Sequence, residues 1–262
     1  MVSDLQLVVI QTGAQLRSVS RNRRAVIFSV VFPLVMLVLF NSIFVSGGDS
    51  VELDGARVGA QAYFTGGMIA YAMMFSAFTG LALGLVQQRE SGQLKRYRGT
   101  PVPAWTFIVA TVLRATVMVG LMAVVILATA RLAYGVAISG EALAEIALYV
   151  LLGTATMCGV GIAATTVATD VDSASAALPL AAVLLSFISS IFIPIDQLPD
   201  WLAAVGRIFP LYHVAIGFQT ALGTGGDTAL DWGNAAALAA WAVCGGLVAA
   251  RGFRWEPQAA SA

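Results

Sequence analysis

Lysine is nearly absent from this chain. Lys95 is the only one in 262 residues, histidine occurs once, at His213, and the two cysteines are Cys158 and Cys244. Charged residues reach only 11%, against about 25% in a soluble domain. So few charges cannot solvate a globular surface, and a soluble enzyme or nucleic-acid-binding domain is excluded. One histidine and two distant cysteines offer no metal-ligand spacing and no disulfide framework; the cysteines read as small buried hydrophobes. No G-x-x-x-x-G-K-[ST] loop is present to cradle phosphates, since the one lysine follows Leu94. No G-x-S-x-G elbow appears either. The chain is therefore expected to hold no metal and no cofactor, and to be no enzyme.

What is present is apolar. Hydrophobic residues make up 59% of the chain and the mean hydropathy is +0.86. Crossing about 30 Å of hydrocarbon takes about 20 residues at 1.5 Å each. Six runs meet that length, at Ala25–Phe44, Tyr63–Val86, Trp105–Ala130, Ile146–Ala168, Ala174–Ile193 and Trp232–Ala250. A seventh, Ile208–Leu222, has fifteen residues with Pro210 and His213 inside it. It would reach only about 22 Å, so a re-entrant or interfacial pair of short helices is expected there. The first run lacks a small-residue cleavage site, and no signal peptide is expected. The fold class is an all-α integral membrane protein, with residues 1–262 forming one transmembrane domain.

Short-loop cations set the orientation. With the N-terminus inside, the inner face collects Arg17, Arg21, Arg23, Arg24, Arg89, Lys95, Arg96, Arg98, Arg251 and Arg254, while the outer loops hold Arg57, Arg131 and Arg207. Both termini are expected in the cytoplasm. Residues 5–20 are mildly amphipathic and read as a helix on the inner leaflet, against anionic headgroups.

The densest charge lies in "QQRESGQLKRYRGTPVPAW", residues 87–105, between two apolar runs. Read as one helix, Gln87, Glu90, Leu94 and Tyr97 share a face by spacings of three, four and three. Arg89, Arg96 and Arg98 point elsewhere, and the prolines stop the helix. Such a face suits docking to a protein; the alternative is a topology anchor and nothing more.

This stretch resembles the intracellular segment of ABC type-2 transporter permeases, the membrane subunits of bacterial exporters. "FIPIDQLPDWLAAVGRIFPLYHVAIGFQTAL" resembles the family's segment after the fifth span, and "FPLVMLVLFNSIF" its first span. The nearest branch is similar to daunorubicin-resistance drug-export permeases; polysaccharide exporters share the fold. The resemblance implies a multidrug or antibiotic efflux permease in a bacterial inner membrane. It implies a dimer with a second copy or a paralogue, and two separate ABC ATPase subunits that bind MgATP. It makes the 87–98 helix the coupling helix, with Gln87, Arg89, Glu90, Leu94, Arg96 and Tyr97 as the ATPase contact. A self-contained secondary transporter is the rival class, but it needs ionisable groups at mid-membrane, and only Arg114 is there.

Other residues carry weaker expectations. Tyr71, Met73, Met74, Phe75 and Phe78 either line a greasy path or face neighbouring helices; the resemblance places Phe75, Phe78, Phe187 and Phe192 near a dimer interface and so on the path of a hydrophobic small molecule. Arg114 either snorkels to the inner headgroups or forms an ion pair with Glu90 or an aspartate of 170–172 at the base of the bundle. Gly80-x-x-x-Gly84 and Ala155-x-x-x-Gly159 mark close helix packing, within the subunit or across a dimer seam. His213, beside Tyr212, reads as an interface hydrogen-bonder.

Overall fold

The computed structural model describes residues 3–21, 23–44, 50–53, 56–168, 170–223 and 231–252. Helix α1 (Asp4–Arg21) opens on a reciprocal cap: the Gln6 amide N–H donates to Ser3 Oγ, and the Ser3 N–H to Gln6 Oε1. Helix α2 (Arg23–Phe44) carries Pro33 in its interior. Strands β1 (Ser50–Leu53) and β2 (Ala56–Gly59) then form an antiparallel hairpin with Val51 opposite Val58. Three segments follow without a break: α3 (Ala60–Met73), a π-helical stretch (Met74–Gly80) and α4 (Leu81–Glu90), a rod of 31 residues.

Gly92, at φ +69°, turns the chain into the short helix α5 (Gln93–Arg98). Only glycine takes that left-handed geometry without strain. Helix α6 (Ala104–Tyr134) ends at Gly135, also left-handed, whose N–H donates to Ala130 and Arg131 carbonyls. Helix α7 (Gly140–Ala164) starts on Ser139, which accepts from the Ala142 N–H, and α8 (Val171–Ile188) on Asp170, which accepts from the Ser173 N–H. A 3-10 turn (Ile195–Gln197), α9 (Asp200–Ile208), α10 (Pro210–Gly223) and α11 (Trp232–Gly252) complete the described chain.

Five helical rods are long and apolar enough to cross a membrane: Ala60–Glu90, α6, α7, α8 and Trp232–Arg251. The described apolar part of α2 is the shorter stretch Ser29–Phe44. The chain is thus a multi-pass, helical membrane protein. The run Ile208–Leu222 is not itself a pair: it forms the single helix α10, which meets the preceding α9 at 92°; Pro210 sits at the first position of α10, where its missing N–H costs nothing. Boundaries move by a few residues. The third rod begins at Gly140, where the Ser139 cap lies, and the fourth stops at Ile188, before Ser190 at φ +58°.

The β-hairpin departs from the all-helical expectation. Leu53 and Val58 are fully buried on its inner face, so period-two burial, not helical period, organises these few residues. Arg254, used for orientation above, lies outside the described residues.

The core lies where α10 packs against α3 and α7, and α7 against α11. Small residues permit this. A Cβ on Gly217 would fall 2.4 Å from the Tyr149 ring, and one on Gly66 would fall 2.7 Å from the Gln219 backbone. Gly159 of the Ala155-x-x-x-Gly159 pattern meets Gly245 of α11, so that pattern packs within the subunit. Gly84 meets nothing within 4 Å and Gly80 only its own helix; both line cavities instead.

Candidate functional site

Two arrangements stand out, one at the end of the bundle and one within it. At the end, α4 and α5 are held to the rest of the chain by four side chains. Arg89, 2% exposed, donates to the carbonyls of Thr165 and Ala168, in the α7–α8 connection. Glu90 Oε1 accepts the Val171 N–H at 2.7 Å, at the start of α8; a carboxylate is well placed at a helix N-terminus. Leu94 is 1% exposed. The Tyr97 hydroxyl accepts from Gln11 Nε2 of α1 at 2.7 Å and lies 3.2 Å from Thr106 Oγ1 of α6. Gln15 Nε2 donates to Thr111 Oγ1, further along α6.

This changes the reading of the basic stretch. One helix from 87 to 98 becomes two, because the left-handed Gly92 resets the helical phase. Leu94 and Tyr97 then turn toward the bundle rather than away from it, and Arg89 goes with them. Gln87, Glu90, Gln93, Lys95, Arg96 and Arg98 are exposed, so the outward surface of this corner is predominantly cationic. Arg96 Nη2 also reaches the Ser91 carbonyl at 3.3 Å.

Within the bundle, a cavity of about 640 Å³ opens between α2, α3 with its π segment, α6 and α8. Its walls are mainly apolar: Phe32 and Pro33 from α2, Tyr71, Ala72 and Phe75 from the 60–90 rod, Met118 and Met122 from α6, Pro179 and Val183 from α8. Ser29, Ser76 and Arg114 are its polar members. The π turn contributes Phe75, Ser76 and Gly80; such turns widen a helix locally and recur at functional sites. Pro33 and Pro179 each delete one helical hydrogen bond in the opposing walls.

From this cavity a ladder of rings runs through the bundle. Phe75 lies 4.6 Å from Tyr71, Tyr71 stacks on Phe32 at 5.4 Å, and Phe192 lies 5.5 Å from both Tyr71 and Phe40. Phe187 touches Phe192 at 5.1 Å, and Phe40 continues to Phe64 at 5.1 Å. Three expected path residues, Phe75, Phe187 and Phe192, are thus joined by ring contacts. Phe78 is not among them. It is 6% exposed and its backbone packs on Gly161 of α7, because the wider π turn spreads residues three apart onto different sides.

Arg114 corrects another expectation. It forms no ion pair with Glu90 or with Asp170–Asp172: Glu90 bonds the Val171 N–H and Asp170 caps α8. The base of the bundle is tied instead by Arg89 and Glu90, and Arg114 lines the cavity. A second, smaller space of about 120 Å³ adjoins it, lined by Gln15, Ser18, Gln88, Thr111 and again Arg114. His213 is a hydrogen-bonder, its Nδ1 2.7 Å from Asn234 Oδ1, while Asn234 Nδ2 donates to the His213 carbonyl. Gln11 and Asn234 escaped the sequence reading; neither forms part of a charge or aromatic pattern. Among the described residues no group of three His, Cys, Asp or Glu is placed to hold a metal.

The comparisons with known proteins point the same way. Residues 6–222 match the ABC-2 type transporter family. The chain is also 22% identical over 231 residues to "Putative transport permease YvfS" from Bacillus subtilis (strain 168), covering 88% of this chain and 90% of that protein. A match over this span, on a bundle of apolar rods, means that the chain belongs to the ABC-2 type transporter family as a membrane component.

Proposed function

We propose that the chain is the permease subunit of an exporter for hydrophobic or amphipathic small molecules, powered by a separate ABC ATPase. The observation that carries this reading is the way α5 is fastened. Its outward side presents Gln93, Lys95, Arg96 and Arg98. Its inward side is seated by buried Leu94 and by Tyr97, which bonds both α1 and α6. One residue pair upstream, Arg89 and Glu90 grip the α7–α8 connection. A push on α5 therefore reaches α1, α4, α6 and α8 as a rigid-body shift, since packed elements move together rather than deform.

The cavity supports the substrate class. Its aromatic, methionine and proline walls suit a greasy body; a glycan would need a wall rich in donors and acceptors. Methionine adapts to varied shapes. The excess of short-loop arginines around α1 and α5 supports a cytoplasmic placement of that end and of both termini in a bacterial inner membrane, with six spans when α2 is counted. Two copies of the permease with two ATPases form the working assembly in this reading.

The test is retention of the partner. The chain is co-expressed with the ABC ATPase encoded beside it and purified through a tag on the permease. The double variant K95E/R96E should insert at normal level, yet lose its ATPase at least tenfold and lose export. Retention of both would remove the coupling role from α5. A cysteine at Gln93 should react with an impermeant thiol reagent only after permeabilisation, and one at Ser50 without it; the reverse inverts the topology.

A further inference from the structure

We infer that the cavity beneath the π turn is a binding site for an anionic amphiphile, with Arg114 as the headgroup residue. This names the substrate class of the cavity and rests on the export reading above.

Arg114 is a permanent cation, since guanidinium does not deprotonate in proteins. It stands ten residues into α6, roughly 15 Å along the helix from its first residue. No hydrogen bond and no ion pair within the described chain involves it. Glu90 and Asp170, the carboxylates considered as its partners, bond the Val171 N–H and the Ser173 N–H. An arginine within a span faces a cavity or a partner and marks a ligand path by default. Here the cavity is present and the internal partner is not.

The surroundings specify the rest of the ligand. Arg114 is shared by two spaces, the first strongly apolar and the second of mixed polar and apolar lining. On one side is the large cavity, with Phe32, Tyr71, Phe75, Met118 and Met122. On the other is the small space, with Gln15, Ser18, Gln88 and Thr111. A hydrocarbon body fills the first, and a headgroup sits at the junction where the guanidinium fork and these polar groups meet it. The fork matches a carboxylate or phosphate in two parallel hydrogen bonds, which selects an anion over a neutral or cationic head. That chemistry has two sources, a single-chain exported amphiphile or a bilayer phospholipid.

The experiment places the full chain in phosphatidylcholine nanodiscs, without an ATPase, and reads the immobilised fraction of spin-labelled probes. Four probes are compared: doxyl-stearate at a pH where it is ionised, its neutral methyl ester, doxyl-phosphatidylglycerol and doxyl-phosphatidylcholine. Stearate is expected to associate about tenfold more strongly than its ester, the scale of one charge-assisted contact. Arg114→Gln should abolish that ratio and Arg114→Lys should keep most of it. If phosphatidylglycerol exceeds phosphatidylcholine by the same Arg114-dependent ratio, the bilayer is a source of the ligand; if only stearate shows the ratio, the site takes single chains. Equal association of stearate and its ester, or a ratio that survives Arg114→Gln, overturns the proposal. Should Arg114→Gln fail to insert, Met118→Trp fills the apolar wall and must displace stearate; undiminished binding is then fatal. Because no ATPase is present, loss of the anion preference with intact ATP-driven export refutes the ligand class alone. An intact preference with no ATPase retention refutes the export reading alone.

Discussion

The two sides of the bundle are built on opposite principles. On one, the rod Ala60–Glu90 and helix α7 have 72% and 61% of their best apolar windows buried within the chain. On the other, α6 and α8 have only 33% and 22% buried. The buried side is made of close backbones: glycines 66, 153, 161 and 217 each face an atom that a Cβ would crowd. Where the two sides meet, rings, prolines and methionines of α2, α6 and α8 surround a cavity together with Tyr71 and Phe75 of the rod. Apolarity alone does not separate them, because both sides are greasy. Lipid is as apolar as leucine, so burial in a membrane protein follows from shape and close approach. The small-residue side is the packed frame, and the aromatic side holds the cavity.

The strongest way to break that contrast is to enlarge a residue of the frame. Gly217→Val puts a Cβ where the Tyr149 ring now lies, at 2.4 Å. That ring cannot retreat easily, since Phe218 meets it edge-on at 6.2 Å and Asn234 reaches its hydroxyl at 3.5 Å. Overpacking of this kind costs about 1–3 kcal/mol or more, and a loss of monodisperse, detergent-soluble protein is expected. A Tm within a degree or two of the parent would mean that α10 is not wedged as described. Adding Tyr149→Leu should recover part of the loss.

A comparable effect is expected at the corner where the two sides are tied. Arg89→Leu removes the donors to the Thr165 and Ala168 carbonyls, each a charge-assisted bond worth about 1.5–3 kcal/mol. Hydrogen exchange should rise in residues 165–170, and ATPase stimulation should fall even though the exposed cations of α5 are intact. Unchanged exchange in that connection would make Arg89 a topology cation only.

Next in size comes Asn234→Leu, at the seam of α10 and α11. It removes the bonds to His213 Nδ1 and to the His213 carbonyl. About 1–2 kcal/mol of destabilisation is expected from removing these two part-buried bonds, read as a Tm shift of a few degrees. Coupling to the ATPase should be unaffected, since the seam does not touch α5.

The same contrast explains which parts of the fold could be read from the chain beforehand. Apolar length marks the five rods, with ends that move by up to six residues, as at Gly140, because a span is a one-dimensional signal. Pro210 and the shortness of Ile208–Leu222 mark a break, which falls between α9 and α10. What failed was phase. Spacing puts Leu94 and Tyr97 on the outward face of a single 87–98 helix, and the left-handed turn at Gly92 is a change of direction that spacing does not report. Phe75 and Phe78 looked like one face because three residues apart is one face on an α-helix; the π turn at Met74–Gly80 ends that equivalence. The hairpin was overlooked although "VELDGARV" contains Asp-Gly between short alternating segments, a strong hairpin signal. Its four-residue strands are too short to stand out between two long helices. Arg114 stands out as the ionisable group within a span, and spacing alone leaves it either reaching the headgroups or pairing within the chain; the cavity beside it is visible only in the fold.

The smallest effect is expected on the open side, at Phe187, and there it separates packing from transport. Phe187 is 45% exposed and meets one ring, Phe192, at 5.1 Å. Phe187→Ala deletes that ring contact, worth about 0.5–1.5 kcal/mol beyond area in buried pairs, at a site that is half open. The surface it leaves is covered by lipid in the membrane, with no water to penalise it. A Tm change below about two degrees is expected, far less than for Gly217→Val. Transport is the second readout. If the rings from Phe75 through Tyr71 to Phe192 and Phe187 form one wall of the path, Phe187→Ala should lower export of a hydrophobic substrate severalfold at unchanged ATPase retention. A large loss of stability with unaltered transport would put Phe187 in the frame. A loss in neither would end the ladder at Phe192, leaving Phe187 as a lipid-facing ring.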